Sequence, residues 1–191
     1  MATFFGNNDS GTANTTLSAY TWWLVAGYAC PNTGLQNVTT LDINIANIGD
    51  GTGHARLAIY TFAGAFVAQW DTEKVAAGTG WLVGTAFVDR AAAPINPVQL
   101  TGGASYLLVA TGDYGVDNMK FYYDAVASGL AKLDFTDYTA NFPATIPGGA
   151  DNDTHEICIR CGVEPAGGGA APGYEILKSD NPQVAMRRGG R

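Results

Sequence analysis

Cys158-Ile-Arg-Cys161 spells CxxC, with His155 three residues ahead of it, and no other stretch gathers so many groups able to do chemistry. With Cys30 as a fourth ligand these residues could hold zinc, and the CxxC pair alone could act as a redox couple. The spacing supports neither. No second CxxC or matching Cys/His pair occurs, and the segment HEICIRCGV alternates as a strand does. Alternation sends Ile157, Ile159 and Cys161 to one face and Cys158 and Arg160 to the other, so the two thiols are poorly placed to share one metal. Three cysteines in a chain of 191 residues make no disulfide framework, and buried free thiols are the expectation.

Other chemistries fare no better. A nucleophile needs a base beside it, and the only histidines are His54, in a glycine loop, and His155, at a strand start. Acids such as Asp134 and Asp137 could converge for glycoside cleavage, but nothing in their spacing selects them. Asn47 to Asp50 and Asp151-Asn152-Asp153 offer oxygen ligands to calcium without an EF-hand spacing; turn-forming Asx residues explain both more economically. No catalytic set, metal site or cofactor is therefore expected, with calcium the one ion left open. Trp22 and Trp23, and Tyr122 and Tyr123, are a different matter. In a regular strand one ring of each pair points outward, where it could stack on a pyranose face; a half-buried ring at a subunit contact explains the pairs equally well.

The elements that would position these residues read as strands. Arg56, Ala58, Tyr60 and Phe62 alternate with Leu57, Ile59 and Thr61; Ala63-Gly64 breaks the run, and Ala65 to Trp70 resumes it as a hairpin partner. Gly80-Trp81 opens the return strand, and this trio is expected at the centre of the fold. Leu17 to Tyr28 and Leu35 to Ile48 are further strands, the latter with Leu41, Ile43 and Ile45 on its apolar side. Val98 to Leu100 and Ser105 to Thr111 are expected to pair across a Gly102-Gly103 turn, and Met119 to Val126 and His155 to Val163 complete the set. Residues 1–16, rich in Asn, Thr and Gly, read as an N-terminal arm. Ser128 to Gly149 reads as a long surface loop. The fold class is thus all-β: an antiparallel β-sandwich over 17–163, followed by a Gly/Ala/Pro linker (164–173) and a C-terminal tail (174–191).

Composition narrows the partners. Hydrophobic residues are 47% of the chain and charged ones 14%, enough apolar material for a core but a weakly charged surface, which suits a member of an assembly. Residues 1–173 carry 15 acidic and 6 basic side chains, a net −9, so the body would repel nucleic acid. Residues 174–191 carry 2 acidic and 4 basic, a net +2. Tyr174, Ile176, Leu177, Val184 and Met186 are too few for a core of their own; beyond a flexible linker they read as anchors that order on a partner, with Arg187 and Arg188 meeting acidic groups. No window approaches the ~20 apolar residues of a membrane helix, and MATFFGNNDSG has neither the basic start nor the apolar run of an export signal.

The strand RLAIYTF, its return AFVAQW, then Gly80-Trp81, Phe87 and LTGGASYLLVATG together resemble the β-sandwich modules of phage structural proteins and bacterial surface-anchored domains. The likeness spans Thr40 to Thr111. It implies a jelly-roll-like sandwich used for attachment, decoration or glycan recognition, and carries over no functional residues because the matching positions form the core. The missing export signal favours a virion over the cell surface. The expectation is a non-enzymatic virion subunit, capsid-decorating or tail-associated, that contacts protein subunits of the same assembly and homo-oligomerises. The alternative is an extracellular carbohydrate-binding or adhesion module.

Overall fold

The structure is a computed structural model, and it describes residues 2–9, 11–16, 20–24, 27–47, 55–71, 80–83, 97–112, 120–134, 142–146 and 151–167. Among the described residues there are thirteen strands and no helix. They are β1 (Thr3–Gly6), β2 (Ala13–Thr16), β3 (Tyr20–Leu24), β4 (Tyr28–Ala29), β5 (Leu35–Asn47), β6 (Ala55–Thr61) and β7 (Phe66–Asp71). After these come β8 (Gly80–Val83), β9 (Gln99–Thr101), β10 (Ser105–Gly112), β11 (Lys120–Asp134), β12 (Asp151–Ile157) and β13 (Ile159–Pro165). Every pairing is antiparallel, and the main path runs β1-β13-β5-β11-β3-β10-β6-β7. The path folds on itself as a β-sandwich. One layer is β1, β13 and β5 with β8 and β9; the other is β3, β4, β10, β6 and β7; β11 pairs with both β5 and β3 and joins them.

β5 alternates as its sequence requires. Leu41, Ile43 and Ile45 are sealed in the core with Phe5, Ile159, Cys161 and Val163. Leu108 and its cross-strand partner Ile59 face them from the other layer; a Cβ on Gly6 of β1 would come within 2.9 Å of Leu108. Asp42 and Asn44, between these side chains, are buried too, and on β6 Leu57, Ala58, Ile59 and Tyr60 are all fully buried, so both faces of each strand are covered. The outer cover of β6 is residues 142–146. Phe142 donates its N–H to Gln69 Oε1, Phe66 donates its N–H to Ala144 O, and the Tyr60 hydroxyl donates to Pro143 O at 2.7 Å. Phe66 and Phe142 meet the Tyr60 ring edge-on at 5.6 and 6.5 Å, a favoured aromatic geometry.

Several expectations are corrected here. The arm contributes β1 and β2: β1 pairs with β13 and sends Phe5 into the core, while β2 pairs with β11. One inward aromatic among polar neighbours is a weak signal, and backbone pairing does the rest. Glu164-Pro165, taken as linker, still belongs to β13. The segment from Ser128 is strand as far as Asp134, held between β3 and β12, and 142–146 is the cover just described. Asp151-Asn152-Asp153 lies in β12, not in a turn. The β6–β7 hairpin forms as read, but it ends the path instead of centring it, because β8 pairs with β5. β9 likewise pairs with β5 and not with β10, so the turn at Gly102-Gly103 carries the chain from one layer to the other.

Truncating a side chain at the heart of this arrangement has a defined cost. Ile43→Ala should lower stability by about 2–5 kcal/mol in urea unfolding, whereas Leu35→Ala on the same strand, more than half exposed, should stay within about 0.5 kcal/mol.

Candidate functional site

A cluster of polar side chains gathers where β12 passes into β13. Cys158 sits between the two strands, donating its N–H to Tyr122 O of β11 and accepting from Asn44 N–H of β5. One residue thus ties together the strands that join the layers. Asp124 and Glu156 lie directly opposite each other on β11 and β12 and so share a face. Like charges in that relation are destabilising unless something satisfies them. Asn7, arriving from the end of β1, donates its side-chain amide to Asp124 Oδ2 at 3.1 Å and to Glu156 O at 3.2 Å. The Tyr28 hydroxyl donates to Glu156 Oε1, and the Cys158 thiol points at Asp124 Oδ2 at 3.8 Å.

The electrostatics of this cluster run against nucleophilic chemistry. Burial, then the negative charge and hydrogen bond of Asp124, push the Cys158 thiol up to about 12. Burial, then Glu156, push the Tyr28 hydroxyl far above its ordinary value. Cys161, on the opposite face as alternation requires, is also driven well up by burial and then by Cys30 and Asp42. The reactive form of a cysteine is the thiolate, and this setting keeps the thiols protonated. All three cysteines are buried and free. Among the described residues no group of three His, Cys, Asp or Glu side chains is arranged to hold a metal ion. His155 packs edge-on against Tyr123 with ring centroids 4.2 Å apart.

A second cluster fastens β1 to the outer face of its layer. Arg160 Nε donates to Asp42 Oδ2 at 3.0 Å, a second guanidinium nitrogen donates to Asn8 Oδ1 at 2.9 Å, and the guanidinium carbon lies 4.4 Å from the centre of the Phe4 ring. The ring approaches so closely because position 162 is glycine: a Cβ there would stand 2.7 Å from Thr40 Oγ1 and 3.1 Å from Phe4 Cε1.

The four aromatic residues singled out for glycan stacking do not come together. Trp22 is opposite Lys132 and Trp23 opposite Ala131, whereas Tyr122 and Tyr123 are eight or more residues away along the same β11. At ~3.3 Å per residue that is roughly 26 Å of strand. Tyr122 and Tyr123 are half-buried. The tail anchors Tyr174, Ile176, Leu177, Val184, Met186, Arg187 and Arg188 lie outside the described residues, as does His54.

One end of the sandwich has no counterpart among the residues that the sequence pattern points to. The loop 31–34, the turn 62–64 and the Gly102-Gly103 turn meet there, laced by Gly102 N–H to Gly34 O, Gly103 N–H to Cys30 O and Phe62 N–H to Ser105 O. Asn32 takes a positive φ of 65°, which Asn tolerates. β13 delivers the chain to the same end, where Ala166 donates its N–H to Leu35 O at 2.8 Å. Leu35 and Phe62 are exposed here at 53% and 54%. Both fall within the strand patterns of the sequence; the available signal is a large apolar side chain directly beside a glycine turn. The chain matches no family model, no curated protein and no solved structure.

Two outcomes are expected of the first cluster. Asn7→Ala strips the shared donor from Asp124 and Glu156 and should cost about 1–3 kcal/mol in urea unfolding. Alkaline pH should weaken the fold. Below about 8.5, the unfolded value of a thiol, both states keep the Cys158 proton and its burial effect is fully present. Above that the unfolded chain releases the proton while the folded protein holds it to about 12, so stability falls as pH rises through this window. Tyr28 and Tyr60, both raised, act the same way from about pH 10 upward. Urea midpoints at pH 7.5 and 10.5 measure the effect, and Cys158→Ala should make the decline shallower.

Proposed function

We propose that this protein is a non-enzymatic structural subunit of a phage-like virion, capsid-decorating or tail-associated, which joins its assembly through residues 174–191. The observation that supports this most is the route of the chain. β13, the last described strand, ends at the turn-lined end of the sandwich, beside exposed Leu35. The residues beyond that strand can then serve another molecule. Their composition suits that use, with five apolar anchors and a net charge of +2 in residues 174–191 set against a body at −9. The clusters around Cys158 and Arg160 suit it too, since their hydrogen bonds hold strands in register as a rigid subunit requires. In this reading the linker keeps the tail at high effective concentration near its target. Tyr174, Ile176, Leu177, Val184 and Met186 fill apolar contacts, while Arg187 and Arg188 meet acidic groups.

Truncation after Gly173 is the test. The shortened chain should keep its stability in urea unfolding within about 0.5 kcal/mol, the usual range for changes away from packed structure, and should fail to enter the assembly or to self-associate. Unchanged incorporation would refute the reading.

A further inference from the structure

We propose that the end face carrying Leu35 and Phe62 is the receiver for residues 174–191 of a second copy, so that two copies meet end to end and exchange tails. This rests on the tail-docking function above and names its partner. The two side chains are separated only by the Thr101–Ala104 turn: Leu35 pairs with Thr101, Ala104 donates its N–H back to Thr101 O, and Phe62 donates its N–H to Ser105 O. Both are large apolar side chains more than half exposed. Phe62 is held there by packing, since a Cβ on Gly27 (φ +67°) would stand 2.8 Å from its ring.

Covalent reach connects this face to the tail. Six residues (168–173) separate Gly167 from Tyr174. At most ~3.6 Å per residue, they keep the first anchor within about 25 Å of Gly167, whose neighbour Ala166 donates its N–H to Leu35 O. The apolar face therefore lies within reach of the first anchor. A surface that carries both donor and receiver is self-complementary, and two such ends related by a twofold axis place each tail within reach of the other's receiver. Exchange, and not a tail folded onto its own subunit, follows from the docking function proposed above, which gives the tail to another molecule. Charge agrees, each basic tail meeting a partner body of net −9.

The experiment measures molar mass against concentration for three purified proteins by light scattering. These are the full chain, the chain ending at Gly173, and the full chain carrying Leu35→Glu and Phe62→Glu. The full chain should self-associate, and both variants should do so at least tenfold more weakly. Mixing the two variants should restore a 1:1 complex, because one keeps the receiver and the other the tail. Should the glutamate pair perturb folding by circular dichroism, Leu35→Gln with Phe62→Gln replaces it. If the receiver variant associates as tightly as the full chain while the truncated one does not, the tail docks elsewhere: this inference falls and the assembly function stands. If truncation changes nothing, both fall. A full chain that stays monomeric while its tail protects its own Leu35 and Phe62 from hydrogen exchange also overturns the exchange.

Discussion

β5 has backbone partners along both edges, and the rest of the sandwich hangs from that fact. Asp42 and Ile43 pair with β8 on one side and β13 on the other; farther along, Ile45 pairs with Gly80 and with Phe121 of β11. The start of the strand takes β9. Over its thirteen residues the strand changes neighbours on each edge, and that change lets a hydrogen-bonded path fold into two layers without leaving its backbone groups unpaired in the core. Its side chains then decide the faces. Leu41, Ile43 and Ile45 fill the space between the layers, while Asp42 on the reverse side is held by Arg160.

The polar clusters look like chemistry and behave like fasteners. Asp124 and Glu156 face each other across two strands, an arrangement that costs free energy by itself. Asn7 and Tyr28 offset that cost by donating to this pair, and in doing so bind β1 and β4 to the corner where β12 becomes β13. Arg160 does the same for β1 from the outer face, through Asp42, Asn8 and Phe4. With these groups committed to holding strands, the end face around Leu35 and Phe62 presents apolar surface.

Local periodicity made part of this legible in the sequence. The alternation of Leu41, Ile43 and Ile45, the Ala63-Gly64 break between β6 and β7, and the opposed faces of Cys158 and Cys161 all follow from a repeat of two residues. Pairing partners do not follow from it. Gly80-Trp81 and Val98 to Leu100 carry clear strand patterns, yet nothing local says that each joins β5 and not its sequence neighbour. Asp151-Asn152-Asp153 reads as turn chemistry, and β11 on one side holds it extended instead. The Asn7–Asp124–Glu156–Tyr28 cluster joins residues up to 149 positions apart, a distance over which composition and spacing carry no information. Leu35 and Phe62 were visible as apolar residues; that they are exposed follows from turns meeting in three dimensions.

Native-state hydrogen exchange tests the central role of β5 most directly. The amides of Val38 and Asn44, bonded to Val98 O and Cys158 O, should exchange only through global unfolding, with the same protection free energy as Leu108 in the centre of β10. Exchange of these β5 amides through a local opening, faster than the amides that β7 pairs with β6, would contradict the account.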